Sequence, residues 1–211
     1  DYGESEELLG HALTDVPRES YVLATKYMAL MDYKDPASVL VPPAAIGESI
    51  DRSLARLGVD HVDILMIHAL DLVRYDVCIA LHLGELAKIR DSGKTRFLGI
   101  SGFAPMLVRA VQNGFADMVM VSYNLLSPAP ERLLFPPAQT ADVGVVAMTA
   151  VRRALAHPDR LAATIAEMKA RGIVAHDAVP HDDPLGWLER GAGGSIQDAA
   201  YRFAAEPAAV A

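Results

Sequence analysis

Three residues with complementary proton chemistry stand out in this 211-residue chain: Tyr2, Lys26 and His68. A phenol, an ammonium and an imidazole gathered at one place can protonate a carbonyl oxygen as a hydride reaches its carbon. Such a positioned acid typically contributes about 10²- to 10⁴-fold. A phenol ordinarily titrates near ~10. An ammonium within about 4–6 Å stabilises the phenolate and lowers that value, while a neutral imidazole can donate a hydrogen bond to the oxygen. Each residue alone has a plainer use. Tyr2 beside Gly3 suits a turn before a helix, Lys26 a solvated strand end, and His68 a hydrogen-bonded core position.

The elements that must bring them together follow from the apolar pattern. Short apolar runs at 21–25, 62–67, 96–100, 118–123 and 143–148 alternate with amphipathic segments. Runs of this length bounded by turn signals are characteristic of parallel strands covered on both faces. Lys26, His68, Ser101 and Asn124 then stand at or just beyond the carboxyl ends of four successive strands. Between the strands, Ser5 is expected to cap a helix whose first turn carries Glu6 and Glu7. Ile46, Ile50, Leu54 and Leu57 form a buried stripe ending at Gly58, and Ile79, Leu83, Leu86 and Ile89 a second ending near Gly93. Further helices are expected at 105–112, 130–140, 158–171 and 195–205.

Strict alternation of strand and helix predicts an α/β fold with a parallel sheet, either a closed barrel or an open doubly wound sheet. No G-x-G-x-x-G follows any strand, which removes the dinucleotide fingerprint of the open form and favours the barrel. In barrels the carboxyl rim of the strands is where sites are built. The rhythm changes after Met148. A Pro-, His- and Asp-rich stretch at 176–184 and an amphipathic piece around Trp187 are expected to cover the pocket.

Composition narrows the function class. Hydrophobic residues make up 52% of the chain, enough for a sizeable core in one domain over 1–211. A formal charge of −8 disfavours nucleic acid and anionic membranes as partners. Cys78 is the only cysteine, so neither an internal disulfide nor a cysteine zinc site is available, and a reducing cytoplasm is expected. No apolar run reaches the roughly 18 residues of a membrane span. His176, Asp177, His181, Asp182 and Asp183 read as a solvated polar loop, and no metal is expected. Arg152 and Arg153 read as a solvated pair, with approach to a phosphate the lesser alternative.

The words around these residues resemble the aldo-keto reductase superfamily. Tyr2-Gly-Glu-Ser-Glu-Glu-Leu-Leu-Gly10 is similar to its Tyr-Gly-x-Ser-Glu-x-x-Leu-Gly segment, and Ala24-Thr-Lys26 to its lysine strand. Ser53-Leu-Ala-Arg-Leu-Gly-Val-Asp-His-Val-Asp-Ile-Leu-Met-Ile-His68 resembles its histidine motif. Gly93-Lys-Thr-Arg-Phe-Leu-Gly-Ile-Ser101 resembles its Gly-Lys-x-Arg-x-x-Gly-[Ile/Val]-Ser block, and Tyr123-Asn124 the end of a further strand. The likeness is dense over about 1–150 and thinner beyond. A narrower similarity points to sugar-dehydrogenase-like members, including L-galactose-dehydrogenase-like enzymes.

The resemblance implies a (β/α)8 barrel, NADP or NAD as cofactor, and a small-molecule carbonyl or alcohol substrate. It implies Tyr2 as general acid/base, Lys26 as its modulator and His68 as the group orienting the carbonyl. Ser101 would hold the nicotinamide carboxamide, with Gly102 and Met148 beside it. Three positions depart from the family pattern: Gly102 where an Asn often follows the serine, Met120 in place of a glutamine, and Met148 in place of an aromatic. The pattern also implies that the barrel is incomplete here. Five strands of eight are expected, without the first two, the eighth, the aspartate that precedes the tyrosine, or the pyrophosphate loop. The alternative readings are a related protein that binds without turnover and an inactive fragment.

Overall fold

The computed structural model describes residues 3–68, 70–180 and 194–210, together with positions 183, 186, 190 and 191. Five strands, β1 (Ala24–Met28), β2 (Val62–His68), β3 (Thr95–Gly102), β4 (Met118–Ser122) and β5 (Gly144–Met148), form one parallel sheet in sequential order. Helices α1 (Glu4–Ala12), α2 (Pro43–Leu57), α3 (Tyr75–Asp91) and α4 (Ala104–Asn113) lie between or before the strands. Two short helices, α5 (Pro130–Leu133) and α6 (Phe135–Thr140), precede β5, and α7 (Arg152–Ala156), α8 (Pro158–Ala170) and α9 (Ile196–Ala205) follow it. This is the expected architecture: an arc of five strands from a TIM-type barrel. Val210 then returns to β5, bridging Val145 in parallel.

Alternation along each strand gives the sheet two unlike faces. Tyr27, Leu65, Ile67, Leu98, Ile100, Val119, Val121 and Val145 belong to the main hydrophobic core, packed under α2, α3, α4 and α6. The opposite, inner face is a grid whose columns are Ala24, Lys26 and Met28; Ile64, Met66 and His68; Phe97, Gly99 and Ser101; Met118, Met120 and Ser122; and Gly144, Val146 and Met148. The register aligns these columns into rows, with Lys26 opposite Met66, Met66 opposite Gly99, Gly99 opposite Met118, and Met118 opposite Gly144.

β1 begins three residues later than the apolar run suggests, so Lys26 lies inside the strand rather than at its end. The reason is the Asp63 carboxylate at the start of β2. It accepts from the Leu23 N–H at 2.8 Å and from Arg18 at 2.7 Å and Arg96 at 3.1 Å, holding 21–23 as a lead-in. Burial opposes the charge on Asp63, but these three donors outweigh it and keep the carboxyl below the usual carboxylate range.

Other boundaries shift for local reasons. Gly3 rather than Ser5 is the N-cap of α1, in the left-handed region at φ 109°. The expected helix at 130–140 is split at Leu134, because Pro136 and Pro137 cannot donate to the preceding turn. Gly58 ends α2 as expected, at φ 68° with its N–H on the Leu54 carbonyl. On α3 the buried stripe is Tyr75, Cys78, His82, Leu86 and Ile89, whereas Leu83 is exposed. The sequence pattern passes over His82 because imidazole counts as polar; its ring is nonetheless buried, with both nitrogens partnered.

Candidate active site

Lys26 and His68 project onto the same inner face. Met28, two residues beyond Lys26, pairs with His68, so the ammonium and the imidazole are diagonal neighbours across the β1–β2 seam. His68 is the last residue of β2 and exposed at the rim. Desolvation by the surrounding protein, and next the Lys26 charge, lower its pKa below the ordinary imidazole value. The ring is therefore neutral near pH 7, able to donate from one nitrogen and accept at the other. The His68 carbonyl accepts from the Ala29 N–H at 3.1 Å, fixing the two strand ends to each other.

β1 is also held from behind. Thr25 and Tyr27, which flank Lys26, point to the helix side and are buried. The Thr25 hydroxyl donates to Glu6 Oε1 at 2.7 Å, and Arg56 donates to Glu6 Oε2 at 3.2 Å. Burial works against the Glu6 charge, yet hydrogen bonds from Thr25, Ser53 and Arg56 hold its carboxyl below the usual range. Glu6 thus joins α1 to β1 and α2. Gly3 and Gly10 let α1 come this close: a Cβ on Gly3 would meet the Arg56 guanidinium at 2.5 Å, and one on Gly10 the Arg56 carbonyl at 2.5 Å. Tyr2, the expected acid, lies outside the described residues, one peptide bond before Gly3.

Ser101 sits one column beyond His68 on the inner face, 3% exposed, its hydroxyl donating to the Ile67 carbonyl at 3.4 Å. Its register partner is Met120. Met148 is half-buried at the end of β5, opposite Ser122. Gly102 is turned the other way. A Cβ there would run into Met106 on α4, so only its main chain borders the rim.

Asn124 is fully buried and spends its amide on structure. It donates to the Thr149 carbonyl at 3.2 Å and hydroxyl at 3.4 Å, and accepts from the Leu126 N–H at 3.0 Å. Ser122 shares a 2.6 Å hydrogen bond with the Thr149 hydroxyl. These contacts hold Thr149 at φ 61°, an uncommon conformation for a β-branched residue, directly after Met148. Beyond it, Arg152 is tied at 3.4 Å to Ser127.

The structure therefore brings Lys26, His68, Ser101 and Met148 onto one surface and sets Gly102 facing away. The donor set suits a flat ring bearing one amide. Met120 and Met148 are soft apolar neighbours, and Ser101 supplies a hydroxyl. Residues that sequence reasoning missed are Glu6, Arg56 and His82. The signals that could have found them are the helical spacing of Tyr75, Cys78 and His82, and the Gly3–Gly10 spacing on one helix. Among the described residues, no group of three or more His, Cys, Asp or Glu side chains is placed to hold a metal ion. His181 and Asp182 of the polar loop, and Trp187, lie outside the described residues. No helix among the described residues is long and apolar enough to cross a membrane.

Comparison with known proteins points the same way. The chain is 30% identical over 156 residues to the NADH-specific methylglyoxal reductase of Escherichia coli (strain K12), a match that takes in 69% of this chain and 47% of that protein. It is 34% identical over 154 residues to the L-galactose dehydrogenase of Arabidopsis thaliana, covering 67% of this chain and 45% of the relative. The chain thus spans about half the length of the curated relatives it matches. Among solved structures, a glycerol dehydrogenase from Gluconobacter oxydans superposes with a TM-score of 0.71 at 25% identity, over 99% of this chain and 67% of that one. The holo form of an aldo-keto reductase from Bacillus halodurans gives 0.61 at 26% identity, over 72% of this chain and 50% of the other. The family model described as the aldo/keto reductase family matches residues 1–211, and the chain belongs to that family.

Proposed function

We propose that the protein interconverts a carbonyl and an alcohol by hydride transfer with NADP or NAD, with Tyr2 as general acid/base. The observation that carries this reading is the diagonal pairing of Lys26 with His68 on the inner face, where desolvation and the Lys26 charge favour the neutral imidazole.

A nicotinamide cofactor, when bound, supplies or accepts the hydride. The chain's own residues do the rest. In the reducing direction, neutral His68 donates a hydrogen bond to the substrate oxygen and so orients the carbonyl. Negative charge develops on that oxygen, and the Tyr2 hydroxyl delivers its proton there. The Lys26 ammonium stabilises the phenolate left behind, which lowers the cost of giving up the proton. In the oxidising direction the same phenolate accepts the alcohol proton. Ser101 would hold the carboxamide and Met148 would pack against the ring, with Gly102 offering main chain only.

The relatives' names favour small aldehydes, ketones and sugars as substrates: methylglyoxal, L-galactose and 6-dehydroglucose appear among them. A small-molecule substrate also fits the −8 charge, which is ill-suited to nucleic acid. The one cysteine, buried and free, fits a cytoplasmic setting.

The test is nicotinamide absorbance with a panel of aldehydes, ketones and sugars. Turnover that drops about 10²- to 10⁴-fold in Tyr2→Phe supports the proposal. Cofactor binding without turnover on any member of the panel would instead identify a non-catalytic relative.

A further inference from the structure

Behind the Lys26–His68 pair, on the helix side of the sheet, lies a buried polar node that the proposed chemistry does not use. Its centre is His82 on α3, with no exposed surface. The Tyr27 hydroxyl lies 3.1 Å from His82 Nδ1, and Cys78 Sγ lies 3.3 Å from the same nitrogen. His82 Nε2 lies 2.9 Å from the Val41 carbonyl oxygen. That oxygen can only accept, so the ring carries its hydrogen on Nε2 and leaves Nδ1 to accept from Tyr27 and Cys78. Burial lowers the His82 pKa, with the Val41 carbonyl acting in the opposite sense, so the ring is neutral as this pattern requires.

The node continues through the main chain. The Val41 N–H donates to the Ala29 carbonyl at 3.0 Å, and the Ala29 N–H donates to the His68 carbonyl at 3.1 Å. One imidazole is thereby linked to both sides of the pair: to Tyr27, the residue next to Lys26, and through Val41 and Ala29 to His68.

We infer that His82 is a positioning residue for the Lys26–His68 pair, setting the offset between ammonium and imidazole from the far side of the sheet. The inference rests on the reading of that pair as the proton-transfer centre, but its test requires neither cofactor nor substrate.

The experiment is an NMR titration of the His68 imidazole, assigned by its disappearance in His68→Gln, in the unsubstituted protein and in His82→Gln, His82→Leu and Tyr27→Phe. Gln can donate to Val41 and accept from Tyr27, so His82→Gln keeps the depressed His68 value. His82→Leu and Tyr27→Phe let the value rise toward the ordinary ~6.5. Should His82→Leu fail to melt cooperatively, Tyr27→Phe, which removes one oxygen, decides the matter. A His68 titration that is unmoved in Tyr27→Phe and in any folded His82→Leu protein overturns the inference, whether or not turnover is found. A protein without turnover whose His68 value rises as expected retains His82 in this role while rejecting the catalytic reading.

Discussion

Lys26 and His68 face each other diagonally across the β1–β2 seam, because the residue that pairs directly with His68 is Met28, two places beyond Lys26. Even at this offset the lysine charge reaches the imidazole and lowers its pKa. Replacing the charge by an apolar chain of similar length should therefore be felt at His68. In Lys26→Met the His68 pKa is expected to rise toward ~6.5, part of the depression remaining because desolvation is its larger cause. An NMR titration reads this directly, and an unchanged value would show that the two residues do not communicate.

His68 and His82 both titrate below their unfolded values. For a group that is cationic when protonated, this means that the unfolded chain binds protons more readily than the folded one. Stability is fully present above ~6.5 and falls as the pH drops through that value toward the folded pKa values. The depressed carboxyls of Glu6 and Asp63 act in a separate window, below ~4.5. Thermal melts between pH ~7 and ~5 are thus expected to show a falling midpoint, with a shallower fall in His82→Gln.

The carboxylate of Asp63 is the hub at the amino end of the sheet, its side chain 6% exposed against 63% for Arg96. Asp63→Ala would leave the Leu23 N–H without its side-chain acceptor and Arg18 with only the Tyr21 and His61 carbonyls, and is expected to cost about 1–3 kcal/mol. Arg96→Ala removes only an exposed partner and should cost at most about 1 kcal/mol. Urea unfolding midpoints compare the two.

Two helical glycines should respond in opposite directions to the same substitution. Gly10→Ala drives a methyl into the Arg56 and Leu57 main chain, where no flexible side chain can yield, so α1 must lift from α2. Gly47→Ala meets only Glu85 Oε1 at 3.7 Å and should stabilise by about 0.5–1 kcal/mol. Denaturant titrations of the two variants check the sign.

Much of this architecture was legible in the chain. The run at 62–67 is buried on both faces and those at 96–100, 118–123 and 143–148 are buried chiefly on one, a pattern that favours parallel strands. β1 was less legible because its start is set by Asp63, forty residues away from Leu23. His68 and Ser101 could be placed on the rim from strand ends alone. The orientation of Gly102 could not, because a glycine has no side chain to betray its face; Met106 on α4 reveals it. His82 was hidden by its polarity: nothing in a local pattern says that Tyr27 and Val41 will arrive to satisfy it.

The central claim is that Lys26 and His68 act as one proton-handling unit, and a double-mutant cycle on turnover tests it most directly. With NADH or NADPH and the best carbonyl from the panel, Lys26→Met and His68→Gln are each expected to lower kcat by about 10²-fold or more. The double variant should be scarcely worse than the poorer single one, because members of one catalytic unit are strongly non-additive. Losses that multiply independently, or turnover undiminished by either substitution, would contradict the account.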